Sequence, residues 1–274
     1  MRRTDQGSPR PSGSTVQAGE LTVGIIDDGG DGAPLLLVHG DEGDRTQFRT
    51  LRELLGGGIR TISYDQRDSG ITVNPPVPYT LEVLADDLAD LLDALGLDRA
   101  HLLGTSFGGA VAQHVALRHP GRVVSLILVA TTPSSALGSR VINSLRLMTS
   151  DERARATGDF LFTPDGQDSM RAGPVRTLAA RDPDQHARRH EAARQHEVRD
   201  RLREITAPTL IVHGTADRLA PYAGALLMEE RMPYAELRSI ENGRHGIAVE
   251  FADQVARWVR EFIGVDATDA AARP

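Results

Sequence analysis

Along this chain of 274 residues, short apolar runs alternate with longer stretches whose apolar positions recur at helical spacing. The runs 21–26, 34–39, 60–65, 101–105 and 123–130 read as strands, and the segments near 45–55, 81–95 and 106–119 read as helices. His119-Pro120-Gly121 supplies a stop for the last of these. The pattern predicts a mostly parallel sheet wrapped by helices. From about 133 to 202 strand-like runs vanish, and arginine-rich, helix-favouring sequence (ARRHEAARQHEVRDRL, 187–202) takes their place. Strand-like runs return at 208–213 and 235–240, with a helical stretch from Pro221 and a periodic helix over 247–263.

Candidate chemistry enters at Gly104-Thr105-Ser106-Phe107-Gly108, between an apolar run and a helix. A serine at a strand-to-helix turn, with a glycine two positions either side, is the nucleophile-elbow pattern. The turn strains the serine backbone, and neighbouring chain can pass close only where side chains are nearly absent. The hydroxyl is thereby exposed at the positive end of the helix.

A serine hydroxyl is a weak nucleophile at neutral pH, so it needs a base and a group that orients the base. In this chain order the acid follows a later strand and the histidine a later loop. The run 208–213 opens into Gly214-Thr215-Ala216-Asp217, and the run 235–240 opens into Glu241-Asn242-Gly243-Arg244-His245-Gly246. Asp217 and His245 are therefore the candidate acid and base. The strand ending at His39-Gly40 places the backbone N–H of Asp41 beside that of Phe107, a pair of donors suited to a tetrahedral oxyanion.

Taken together, the segments LLLVHG (35–40), YDQRDSG (64–70), GTSFGG (104–109), PTLIVHGTAD (208–217) and ENGRHG (241–246) resemble the α/β-hydrolase fold superfamily. The resemblance is to its compact, single-domain, cofactor-free branch and covers roughly residues 21–264. Tyr79-Thr80-Leu81, leading into DDLADLLDALGL (86–97), is similar to the esterase, enol-lactonase and proline-iminopeptidase-like members. The resemblance implies Ser106 as nucleophile, Asp217 as triad acid, His245 as base, and no metal or organic cofactor. It also implies an α/β-hydrolase core over 19–132 and 203–264, with 133–202 as a helical cap over the elbow. Val141, Leu145, Phe160 and Phe162 of the cap are candidate pocket walls, with His39 and Glu42 as further candidate substrate contacts.

Composition narrows the partners. A formal charge of −7 gives no electrostatic reason to expect nucleic acid, and no apolar stretch approaches the roughly 20 residues of a membrane span. With no cysteine there is neither a disulfide nor a thiol nucleophile, which fits a cytoplasmic setting. The sequence contains no lysine, so all 31 basic residues are arginine and a lysine Schiff base is excluded. Residues 1–18, rich in Ser, Gly and Pro, are expected to be a disordered lead-in without the apolar core of a signal peptide, and 265–274 a fraying tail. His186 and His190 stand four apart in the cap, yet no carboxylate motif accompanies them, so no metal site is expected. A small-molecule substrate is the expected partner, and the sequence leaves a homo-oligomer open.

Two features depart from the family pattern. Asp41 and Glu42 follow His39-Gly40, where glycine or an apolar residue is usual. A carboxylate about 5 Å from a developing oxyanion opposes it by roughly 3 kcal/mol at an effective dielectric near 20. Both side chains are therefore expected to point to solvent, unless one recognises a substrate group or serves a different chemistry. Asp68 also stands where glycine is common. The sequence favours a serine hydrolase of small or medium carboxylic esters or lactones, with activity rising as His245 loses its proton near pH 6–7. The same triad also serves C–C bond hydrolysis, perhydrolysis or haloperoxidase-type chemistry, amide cleavage, and biosynthetic acyl transfer or cyclisation. A non-hydrolytic enzyme using Asp41 or Glu42, and a ligand-binding protein without turnover, remain as rivals.

Overall fold

The computed structural model describes residues 9–138, 141, 144, 150–167 and 181–265. Its strands are β1 (Arg10–Ala18), β2 (Leu21–Asp27), β3 (Ala33–Val38), β4 (Ile59–Tyr64), β5 (Ala100–Thr105), β6 (Val123–Val129), β7 (Thr209–Gly214) and β8 (Ala235–Ile240). They form one sheet in the order β1-β2-β4-β3-β5-β6-β7-β8, and β3 to β8 are mutually parallel while β1 and β2 run antiparallel to their neighbours. This is the α/β-hydrolase fold. Among the described residues, no helix is long and apolar enough to cross a membrane.

The unbroken apolar runs are explained by burial on both faces, since successive side chains of a strand point to opposite sides. Leu36, Val38, Leu102, Leu126 and Leu128 pack on one face with Leu84 and Leu88 of α2 (Leu81–Ala94) and Val111 and Val115 of α3 (Phe107–Arg118). Leu35, Leu37, Leu103, Ile127 and Val129 pack on the other with Leu51 and Leu55 of α1 (Arg49–Leu55) and Val255 and Val259 of the last helix (Ala252–Ile263). Because the central strands are parallel, their C-terminal ends share one edge. The loops that follow them, each beginning a new connection, gather there and carry the candidate chemistry.

Two expectations are corrected. Within 1–18, residues Arg10–Ala18 are not disordered: they form an edge strand whose Val16 lies opposite Val23 and whose Ala18 lies opposite Leu21. Composition misleads here because the hydrogen bonds come from the open side of β2, and Val16 and Ala18 alone suffice to pack inward. Residues 1–8 lie outside those described, as do 266–274 of the expected tail. The single helix expected over 247–263 is broken at Phe251 into Ile247–Glu250 and Ala252–Ile263, which keeps Ile247 and Val255 both fully buried.

The described part of the insertion is helical: α4 (Ser150–Leu161), α5 (Pro183–Arg194) and a 3-10 turn at Arg199–Glu204. Asp182 begins α5 with a capping box to Gln185, and Pro183 occupies its first turn. A bridge between Ser134 and Glu197 ties the two stems of the insertion together.

Helix and sheet approach each other closely at the elbow. A methyl group on Gly108 would fall 2.0 Å from the Val38 carbonyl oxygen, and one on Gly104 would fall 2.3 Å from the Gly108 oxygen. Gly108→Ala should therefore lower stability by about 1–3 kcal/mol through overpacking, read as a lower urea midpoint at unchanged slope.

Candidate active site

Ser106 links β5 to α3 with φ 52° and ψ −118°, a left-handed conformation that a side chain adopts only under strain. Two bonds hold the turn: the Ser106 N–H donates to the Val129 carbonyl at 3.0 Å, and the Thr131 hydroxyl donates to the Ser106 carbonyl at 2.8 Å. Strand β6 and the loop after it thus hold the serine in its strained pose.

His245 and Asp217 meet this serine. His245 Nε2 lies 2.8 Å from Ser106 Oγ, and Nδ1 lies 2.8 Å from Asp217 Oδ2. The carboxylate acceptor places the ring proton on Nδ1, leaving Nε2 to accept the serine proton. Asp217 is itself pinned, since its Oδ1 accepts the N–H groups of Leu219 and Ala220, each at 2.9 Å. Burial opposes the charged form of His245, but the charge of Asp217 and its hydrogen bond outweigh this and hold the pKa above the ordinary 6.5. The row can accept a proton from the hydroxyl and store it beside a carboxylate.

The loop after β3 runs against the serine: a methyl on Gly40 would lie 3.8 Å from Ser106 Cβ. Phe107 is the first residue of α3, and an N–H there has no helical carbonyl to reach. Gly40, the residue before Asp41, thus adjoins the serine on one side, and Phe107 follows it in the chain. His39 is fully buried and holds the loop together, its Nδ1 donating to the Gly40 carbonyl at 2.8 Å and its Nε2 accepting the Gln66 N–H at 3.2 Å. Burial, reinforced by the charge of Arg189, drives its pKa well below 6.5, so it stays neutral. His213 is likewise buried and bonds the Ala220 carbonyl at 2.7 Å.

Of the acidic residues that depart from the family pattern, Glu42 is exposed as expected, Asp41 is partly covered and Asp68 is buried. Arg189 of α5 donates from Nε to Asp41 Oδ1 at 3.2 Å, and Arg181 lies 3.7 Å from Glu42. Arg188 grips Asp68 with two bonds of 2.8 and 2.7 Å, which, against the opposing effect of burial, hold the Asp68 pKa below its ordinary value. Asp68 itself has φ 55°. Sequence reading missed these arginines because partners more than a hundred positions apart carry no local signal. The arginine-rich text of the cap and the misplaced acids were each visible, but their pairing was not.

Other cap candidates divide. The His245 N–H donates to the Phe160 carbonyl at 3.2 Å, and the Gly246 N–H to that of Leu161 at 2.7 Å. A methyl on Gly246 would fall 2.6 Å from the Phe162 ring, so Phe160 and Phe162 sit directly on the His245 loop. Val141 is half-buried, and Leu145 lies outside the described residues. Among the described residues, no group of three histidine or carboxylate side chains could hold a metal ion.

A strained serine at a strand-to-helix turn, with an imidazole and a carboxylate in one row and a loop close beside it, is the candidate active site on this fold. A model of the alpha/beta hydrolase family matches residues 35–258, and the chain belongs to that family. A proline iminopeptidase of Lactobacillus helveticus (strain DPC 4571) is 30% identical over 274 residues, covering 87% of this chain and 92% of its own. A 2-hydroxymuconate semialdehyde hydrolase of Pseudomonas sp. (strain CF600) is 28% identical, covering 97% and 98%. The solved structure of a hydrolase from Pseudomonas aeruginosa PA01 superposes with a TM-score of 0.80 at 28% identity, covering 92% of this chain and 98% of that one.

Since the raised pKa of His245 depends on Asp217, the acidic limb of kcat/KM should lie above pH 6.5, with activity lost as the imidazole is protonated. Asp217→Asn leaves only burial, so the limb should move to lower pH while kcat falls by about 10⁴. A pH–rate profile of both chains checks the direction.

Proposed function

We propose that this protein is a serine hydrolase that cleaves a small or medium carboxylic ester or lactone through an acyl-enzyme intermediate. The observation that carries the reading is the unbroken row Asp217–His245–Ser106, with both contacts at 2.8 Å, on a strained elbow. Ser106 Oγ attacks the carbonyl carbon while His245 Nε2 takes its proton. Asp217 holds the ring with its second proton on Nδ1 and stabilises the imidazolium. The N–H groups of Asp41 and Phe107 donate to the oxyanion. His245 returns the proton to the leaving oxygen, then takes one from water, whose hydroxide attacks the acyl carbon, and passes that proton to Ser106 Oγ as the acyl–oxygen bond breaks. Phe160 and Phe162 are proposed walls of the pocket by their place in the cap beside the His245 loop, and half-buried Val141 of the cap is a further one.

A second reading has an observation of its own. The likeness to a 2-hydroxymuconate semialdehyde hydrolase spans 97% of this chain, which favours hydrolysis of a C–C bond next to a carbonyl. The same groups serve, with the leaving carbon accepting the proton.

A fluorophosphonate probe should label Ser106 in the intact chain, and Ser106→Ala should abolish labelling and lower turnover by about a thousandfold or more. Turnover of an ester and lactone panel supports the first reading, and turnover confined to 2-hydroxymuconate semialdehyde supports the second. Retained turnover in Ser106→Ala overturns both.

A further inference from the structure

The Asp41 carboxylate poses a problem that the cap solves. If its own N–H faces the oxyanion, its side chain, only a few bonds away, opposes the negative charge that develops there. The guanidinium of Arg189 touches both residues whose amides are assigned to that hole. Its Nε donates to Asp41 Oδ1 at 3.2 Å, and its central carbon lies 4.6 Å from the centre of the Phe107 ring. Its Nη1 donates to the Arg67 carbonyl at 2.9 Å, and the side chain is only 1% exposed.

Fastening the cap does not by itself explain this placement. Arg188 already binds Asp68 through two bonds, and Arg181 donates to the Asp68 and Gly43 carbonyls at 2.7 and 2.9 Å. Arg189 adds a single contact to Asp41, and its Nη2 is buried without an acceptor among the described residues. Burying a guanidinium so incompletely bonded is costly. A position set by charge, next to a carboxylate and over the ring of the residue after the serine, accounts for that cost.

We propose that Arg189 is a positioning residue that cancels the charge of Asp41 beside the oxyanion hole, so that the two amides there meet the developing negative charge unopposed. The proposal rests on the assignment of Ser106 as nucleophile and of Asp41 and Phe107 as oxyanion donors. It treats an unusual acid in the core and an arginine of the cap as one unit.

The test compares Arg189→Met, Asp41→Asn and the double variant with the wild-type full chain. Readouts are the fluorophosphonate labelling rate of Ser106, kcat and KM on p-nitrophenyl acetate, and the thermal midpoint. Asp41 is partly exposed, which screens its charge, so Arg189→Met should lower labelling and kcat by about ten- to hundredfold with KM changed less than about threefold. Asp41→Asn keeps the backbone N–H and supplies the baseline for the double variant. The double variant should lie within about threefold of Asp41→Asn, because the opposing charge is gone although the cap contact is still missing. A double variant that falls as far below Asp41→Asn as Arg189→Met falls below wild type, a loss confined to KM, or no loss in Arg189→Met overturns the proposal. A wild-type chain that neither labels nor turns over is a different failure, since it removes the assignment of Ser106 itself.

Discussion

The site depends on how closely α3 can begin against the ends of β3 and β5. Gly108 lies against the Val38 and His39 carbonyls, and Gly104 lies against the backbone of Gly108 and Gly109. No side chain fits in either place. Bare backbone lets the helix start at Phe107 with almost no loop, and that forces Ser106 into its left-handed pose. Were the helix to start even a few ångströms farther from the sheet, the hydroxyl would lose its bond to His245 and the Gly40 loop its place beside the serine. A steric allowance at two positions thus decides the electrostatics of the whole site.

The remaining groups are delivered by longer routes. Asp217 and His245 follow different strands, and each is fixed by backbone bonds: two amides hold the Asp217 carboxylate, and cap carbonyls receive the amides of His245 and Gly246. The cap is therefore not a loose cover. It touches the histidine loop through Phe160 and Leu161, and the loops after β3 and β4 through Arg181, Arg188 and Arg189. Its two ends rest on opposite sides of the serine.

Much of this was legible in the sequence, for a physical reason. Strands buried on both faces announce themselves as unbroken apolar runs, and residues at their C-terminal ends must share an edge when the strands are parallel. Ser106 and Asp217 could be picked out because each follows such a run, and His245 because it lies in the loop after the last strand-like stretch, Ala235–Ile240, which is mixed rather than apolar. Arg189 could not, because its importance comes from contact with Asp41 and Phe107, far away in the chain, and helix-favouring arginine-rich text looks alike whether it is solvated or buried. The strand at Arg10–Ala18 was hidden in the same way: its partner, not its own composition, makes it a strand.

That first strand also governs where the polypeptide can be shortened. A chain trimmed to begin at Gly19 would look like a tidy removal of a Ser-, Gly- and Pro-rich leader, yet it would strip the outer neighbour from Leu21–Asp27. The uncovered row of amides and carbonyls, with Leu21 and Val23 beneath it, is a template on which another molecule can zip up. Self-association, rather than loss of the catalytic groups, is the consequence of such trimming.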